Sequence, residues 1–250
     1  MDKTLLKGLA VLEAVAEQQG RPKTIEELAQ ELDLTRSNVH RTLQTLAHAR
    51  YIAKDEATGR YHTTMKLFEL GGKQLQRFDV RRFAPPYMRE LAEATGETVH
   101  LSILERMEVV YIDKIDSPQP VRAYTAIGGH APAHAVATGK ALLAYQPEGY
   151  LERHSGPFER YTATTITALP VLKDELARVR RAGYAINRGE WRETVGGVAV
   201  AVFNGLNQVV AGLGISGPLE RLSLTRMREL APQVRRCAQE ISAAMGYRED

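Results

Sequence analysis

The stretch Leu34-Thr35-Arg36-Ser37-Asn38-Val39-His40-Arg41-Thr42-Leu43-Gln44-Thr45-Leu46 constrains the chain most. Wound as a helix, it places Val39, Leu43 and Leu46 on one narrow apolar stripe. Ser37, Arg41, Gln44 and His48 fall opposite, flanked by Asn38 and Thr45. From Thr35 to Arg50 there are three arginines, two histidines and no acid. A helix with one buried stripe and a cationic, hydrogen-bonding opposite face suits a major groove, where such side chains reach base edges and phosphates. Taken alone, the same pattern also describes an ordinary solvated helix face.

Its neighbours decide between the two. Leu5, Leu9, Leu12 and Val15 recur at helical spacing and predict a first helix over 4–18, ended by Gly20-Arg21-Pro22. Thr24-Ile25-Glu26-Glu27 is a capping box, and the helix it opens turns Leu28, Ala29 and Leu32 inward. That helix carries Glu26, Glu27, Glu31 and Asp33 without a basic residue, so it is unsuited to lie along phosphates. Thr35 caps the next helix. Two short strand-like runs follow, 51–54 and 60–63, joined through Gly59. Helix, short turn, helix and hairpin together predict a winged helix-turn-helix over 1–64. In it Ser37, Asn38, Arg41, Gln44 and Thr45 face bases, Arg36 and His40 lie nearer the backbone, and Thr35 at the cap belongs to the same DNA-binding set. Arg50, Lys54 and Arg60 sit near phosphates, where they fix register without reading sequence. For Lys54 a plain surface charge is an equal expectation.

Net charge is only +3, so nucleic-acid affinity has to come from local clustering. A single cysteine excludes an internal disulfide framework or a multi-cysteine zinc site, and suits a reducing cytosol. No apolar run is long enough to span a bilayer, and the expected location is the cytoplasm.

Met65, Leu67, Phe68, Leu70 and Leu75 predict a linker helix ending near Phe78, interrupted at Gly71-Gly72 and apolar enough to pack against its copy in a dimer. Pro85-Pro86 suggests a boundary, giving a linker over 65–84 and a second domain over 85–250. There, helices are expected over 87–94, 133–144, 170–181 and 224–245, the last disturbed at Pro232. Strands are expected over 98–104, 109–115, 121–126, 197–203 and 209–215, the final two joined at Asn204-Gly205. Antiparallel strands flanked by helices describe an α+β sensor-like domain.

The chain resembles the IclR family of bacterial transcriptional regulators over essentially its full length. The matching residues are 34–46, Thr95-Gly96-Glu97-Thr98-Val99-His100-Leu101, Gly128-Gly129, Pro132, His134, Gly139-Lys140-Ala141-Leu142-Leu143-Ala144, Gly183-Tyr184-Ala185 and Ile215-Ser216-Gly217-Pro218. The resemblance implies a winged helix joined by a linker helix to a GAF-like effector-binding domain. It also implies dimers paired through the DNA-binding domains, often assembled as dimers of dimers. The effector would be a small organic acid or phenolic metabolite in a cavity over the sheet, walled by the segment around His134 to Lys140, the loop after Gly-Tyr-Ala and the last strand. Carried onto this chain, the polar candidates are the backbone at Ala137 and Thr138, Asn187 and Ser216. Amides at a helix start suit a carboxylate.

Two departures from the family pattern refine this. The segment after Gly-Tyr-Ala, usually acidic, reads Asn187-Arg188-Gly189-Glu190-Trp191-Arg192. Trp191 and Arg192 together suit an aromatic carboxylate, by stacking and by charge-assisted hydrogen bonds. Ala123, Ala131, Gly197 and Gly214 stand where larger side chains are common, which implies a larger cavity. The expected effector is therefore an aromatic or phenolic acid. Plainer roles stand beside these: Trp191 as a loop anchor, Arg192 as a surface ion-pair partner, His134 as a helix brace, Lys140 as a structural group, and Ser216 bonded to its own turn.

The expected function is a ligand-controlled DNA-binding regulator, preferentially a repressor, acting on a near-palindromic operator. One alternative is a constitutive DNA binder, marked by salt-sensitive, sequence-poor affinity. An enzyme is the other; no nucleophile elbow, phosphate loop or His-Glu-x-x-His motif accompanies the scattered histidines. His130 and His134 have helical metal-ligand spacing, but Pro132 stands between them. No cofactor or metal is expected.

Overall fold

The computed structural model describes residues 1–17, 22–75, 80–154 and 156–248. The expected ends of the first helix and of the linker helix, at Gly20-Arg21 and Phe78, lie outside them. The chain forms two compact units, Met1–Arg77 and Phe78–Asp250.

In the first unit, α1 (Lys3–Ala16), α2 (Ile25–Glu31) and α3 (Arg36–His48) precede the hairpin of β1 (Ile52–Lys54) and β2 (Tyr61–Thr63) and then α4 (Met65–Leu75). The capping box is formed in full: Thr24 N donates to Glu27 Oε2 at 2.7 Å, and Glu27 N donates to Thr24 Oγ1 at 3.2 Å. At the start of α3, Asn38 N donates to Thr35 Oγ1 at 3.3 Å. Val11, Ala14, Val15, Leu28, Ala29, Val39, Leu43, Ile52 and Tyr61 make a small core. Burying each larger side chain there contributes about 1.5–3 kcal/mol.

Two expectations shift. Leu5 and Leu9, at the helical spacing of an inward stripe, are 62% and 46% exposed, because Val11, Ala14 and Val15 make the buried contacts of α1. The helix α4 continues through Gly71-Gly72 and leaves Met65, Phe68 and Leu70 exposed.

The second unit is a six-stranded antiparallel sheet in the order β5-β4-β3-β8-β7-β6. Its strands are β3 (Thr98–Glu105), β4 (Glu108–Ile115), β5 (His130–Pro132), β6 (Ala185–Arg188), β7 (Val195–Phe203) and β8 (Val209–Pro218). On one face, Val99, Leu101, Val198, Leu213 and Ile215 pack with α5 (Val80–Thr95) and α9 (Leu224–Ala244). The other face meets α6 (Ala137–Leu143) and α8 (Leu169–Ala182), with Ala199, Val109, Leu142 and Leu176 in its core. A short helix α7 (Tyr150–His154) lies in the connection between them.

Pro85 and Pro86 do not end a helix; both lie inside α5, whose Val80, Ala84, Met88 and Leu91 are buried. That packing outweighs the local loss of backbone bonds. Helix α9 likewise runs through Pro232. The strand expected over 121–126 is absent. Side chains take up its backbone instead: Lys114 Nζ donates to Thr125 O at 2.8 Å, and Arg221 Nη2 donates to Val121 O at 2.9 Å. The expected helix over 133–144 is split into a 3-10 turn, Ala133–Ala135, and α6. In the β7–β8 turn, Asn207 rather than Gly205 takes the left-handed conformation, with φ of 57°. Asn204 Oδ1 closes that turn by accepting from Leu206 N and Gln208 N, each at 3.0 Å.

Candidate DNA-reading face and effector cavity

The exposed side of α3 presents Arg36, Ser37, His40, Arg41, Gln44, Thr45 and His48, with Thr35 exposed before it and Asn38 half-buried. Arg41 Nη2 donates to Asn38 Oδ1 at 3.3 Å, which holds the guanidinium along the helix face. Thr45 Oγ1 donates back to Arg41 O at 3.0 Å. The outlying basic residues are less uniform. Arg36 pairs with Glu26 of α2, and Lys54 lies 3.9 Å from Glu56. Arg60 Nη1 donates to the Pro22 carbonyl, so this arginine braces the hairpin against the start of α2 rather than standing free. Arg50 is exposed at φ of 63°, at the corner between α3 and the hairpin.

In the second unit, α6 begins at Ala137 directly over the sheet, with no side chain capping its first turn. Gly214 brings the helix so close to the sheet, since a Cβ there would stand 3.0 Å from Thr138 Cγ2; a Cβ on Gly139, within α6, would overlap the Ala133 carbonyl of the preceding 3-10 turn. At Gly214, therefore, the small residue serves helix–sheet contact rather than a larger void. Between α6, the sheet and two loops lies a cavity of about 520 Å³, counting its open mouth. Ala123, Ala137, Thr138, Asn187, Trp191, Arg192, Gly197, Gly214 and Ser216 all line it.

Ala131 and His134 do not. Ala131 on β5 packs into the second core with Val109 and Leu142. The His134 ring sits between Phe158 and Tyr161, and its Nε2 is 3.2 Å from Glu159 O. Burial lowers its pKa. His134 is a brace.

Asn187 lines the cavity with its amide already engaged: Oδ1 accepts from Glu190 N at 2.9 Å, and Nδ2 lies 3.5 Å from Val195 O. Glu190, buried, takes Lys140 Nζ at 2.6 Å, and Thr165 Oγ1 donates to the Glu190 carbonyl at 2.6 Å. These bonds pin the loop that carries Trp191 and Arg192. The Arg192 guanidinium stacks 4.6 Å from the Trp191 ring centre.

His100, Tyr111, Tyr124 and Thr125 also line the cavity and were not among the expected site residues. His100 lies on β3, where the alternation puts Val99 and Leu101 on the α5–α9 side and Thr98, His100 and Ser102 on the other. All five are buried. Polar residues alternating with apolar ones through the buried first five positions of β3 are the sequence signal that marks His100. Burial, helped by Lys114, lowers the His100 pKa to about 4, so its ring is neutral near pH 7. The Tyr111 hydroxyl is pushed up to about 12, mainly by burial, with Arg192 opposing. Among the described residues that line the cavity, Arg192 alone carries a formal charge at neutral pH.

A winged helix-turn-helix on one unit and a partly open cavity with a few convergent polar groups on the other define a DNA-binding regulator with a ligand-binding domain. Comparison with known proteins bears this out. The family model for the IclR helix-turn-helix domain matches residues 4–56, and that for the bacterial transcriptional regulator IclR C-terminal domain matches 72–243. The chain belongs to the IclR family. It is 38% identical over 246 residues to the HTH-type transcriptional regulator KdgR of Escherichia coli, covering 98% of this chain and 93% of that one. The HTH-type transcriptional repressor AllR of Klebsiella pneumoniae is 33% identical, covering 98% and 91%. An IclR homolog from Microbacterium hydrocarbonoxydans, solved with 4-hydroxybenzoate, superposes with a TM-score of 0.83 at 24% identity, covering 97% and 99%, and so shares the fold. The protein is a DNA-binding transcriptional regulator and not an enzyme. Among the described residues no helix is long and apolar enough to cross a membrane.

Proposed function

We propose that this regulator is a cytoplasmic repressor whose operator affinity changes when a small organic anion enters the cavity of its second unit. One observation carries the effector class: the lining holds one cation, Arg192, and no carboxylate. The uncapped start of α6 at Ala137, which also lines the cavity, adds amide donors and the positive end of a short helix dipole. The stacked Trp191–Arg192 pair favours an aromatic acid, whose ring would lie against the indole while its carboxylate meets the guanidinium.

The DNA side is read by Ser37, Asn38, Arg41, Gln44 and Thr45, with Arg50 and Lys54 on phosphates. Exposed Leu5, Leu6 and Leu9 on α1 and Met65 and Phe68 on α4 supply the apolar surface for a second copy. Two copies present two reader helices, so the operator should be a near-palindrome with half-sites about one helical turn apart. The effector acts only through a difference in its affinity for the DNA-competent and the released states.

The test is footprinting on the protein's own upstream DNA, with and without benzoate, 4-hydroxybenzoate and aliphatic carboxylates. Protection of a two-fold symmetric site that at least one acid weakens is the expected result. Protection that no anion alters, with Trp191 fluorescence unmoved throughout, would leave a constitutive DNA binder.

A further inference from the structure

One side of the cavity holds a hydrogen-bonded row, centred on buried His100 and made from three distant parts of the chain. His100 Nε2 lies 2.5 Å from Ser216 Oγ on β8, and His100 Nδ1 lies 3.2 Å from Thr125 Oγ1 in the connection between β4 and β5. Sheet pairing creates it. His100 is opposite Gly214 and Thr98 is opposite Ser216, so the imidazole reaches diagonally across a strand position without a side chain. Tyr111 flanks the ring at 5.0 Å between centres. His100 is buried, Ser216 and Thr125 are half-buried and Arg192 is exposed, so the imidazole lies deepest in the row and the cation stands nearest the mouth.

A neutral imidazole between two hydroxyls has a property that a fixed amide or a cation lacks. It carries one N–H, on either nitrogen. With the proton on Nε2, the ring donates to Ser216 and leaves the serine O–H free to donate into the cavity. With the proton on Nδ1, Ser216 donates to Nε2 and offers the cavity a lone pair. Thr125 reverses in step. The row can thus present a donor to a ligand carbonyl or an acceptor to a ligand hydroxyl, with no ionisation and no backbone movement.

We propose that His100 is a specificity-determining residue of the effector site, setting with Ser216 and Thr125 a row that selects acids bearing an oxygen at the end remote from the carboxylate, ketone and alcohol alike. The proposal rests on the anionic-effector reading above and adds the chemistry of the far end. An acid ending in bare hydrocarbon leaves the row without its ligand partner after excluding water, and a site built to hydrogen-bond an oxygen rejects such an analogue.

The test uses full-length protein, calorimetric titration and a matched set: hexanoate, 5-oxohexanoate and 5-hydroxyhexanoate, with benzoate and 4-hydroxybenzoate beside them. The wild type should bind both oxygenated hexanoates about tenfold more tightly than hexanoate and within about threefold of each other, with 4-hydroxybenzoate above benzoate. In Ser216→Ala, and in His100→Phe, which keeps a ring against Tyr111 but no nitrogen, that ratio should fall below about threefold. The readout is a ratio within one protein, so a general loss of affinity does not imitate the result; thermal melting confirms that each variant is folded. Equal binding of all three hexanoates by the wild type would overturn the proposal, as would an undiminished ratio in Ser216→Ala. If no acid binds, the anionic-effector reading fails first and takes this inference with it.

Discussion

Lys140 Nζ lies 2.6 Å from Glu190 Oε2, and neither side chain reaches solvent. Glu175 Oε1 stands on the same ammonium at 3.3 Å. The pair joins α6, which forms one wall of the cavity, to the loop that supplies Trp191 and Arg192. Taking one member away strands a buried charge, which is far more damaging than removing both. Lys140→Met should therefore cost about 3–5 kcal/mol in urea denaturation. The Lys140→Met/Glu190→Gln double variant should recover a large part of that loss. Additive losses in the double variant would show that the two residues act separately.

On the reader helix, Arg41 and Arg36 should differ. Arg41 lies along the exposed face, held by Asn38, whereas Arg36 is paired with Glu26. Arg41→Ala should weaken binding to the operator by about 1–3 kcal/mol and relax the preference at one base position. Arg36→Ala should lose less, equally on operator and random duplex. Fluorescence anisotropy with both duplexes separates these outcomes.

Acid stability should carry the mark of His100. Its folded pKa, about 4, lies below the ordinary histidine value of about 6.5. The unfolded chain therefore binds a proton that the folded chain refuses. Stability from this group is complete above pH 6.5 and is lost progressively as pH falls toward 4, by about 3 kcal/mol. His100→Gln should show a shallower fall in urea midpoint across that window. A slope identical to the wild type would assign the acid sensitivity elsewhere.

The proposed second copy on α1 and α4 is tested by charge. Phe68 is 70% exposed, so Phe68→Asp has little folded core to disturb. Together with Leu9→Asp it should give monomers by analytical ultracentrifugation and reduce operator affinity, with an unchanged circular dichroism spectrum. A dimer that survives both substitutions would place the interface elsewhere.

Where structure is local, the sequence was enough. The caps at Thr24 and Thr35, the stripe of Val39 and Leu43 and the left-handed Gly59 depend on neighbours within a few residues, and the first unit follows from them. The cavity is a product of pairing between distant strands. His100 meets Ser216 because β3 lies beside β8, a contact that no spacing along the chain displays. Ala131 was misplaced for a related reason: a family pattern does not show that its β5 position packs into the second core, whereas the bracing role expected of His134 is the one it takes. Pro85-Pro86 misled in the opposite direction, since tertiary burial of α5 overrode a strong local breaker.

The glycines at the joints of α6 divide the cavity into a part that resists change and a part that tolerates it. A side chain at Gly214 meets the methyls of Ala199 and Thr138, and one at Gly139 meets the Ala133 backbone, so the joints of α6 with the sheet and with its preceding turn admit almost no substitution. Tyr124 and Arg192 stand at the exposed rim and obey no such restriction. Libraries that diversify the rim and spare the joints should therefore retune which molecule switches the promoter without losing the folded scaffold. The architecture is a ready chassis for engineered small-molecule biosensors.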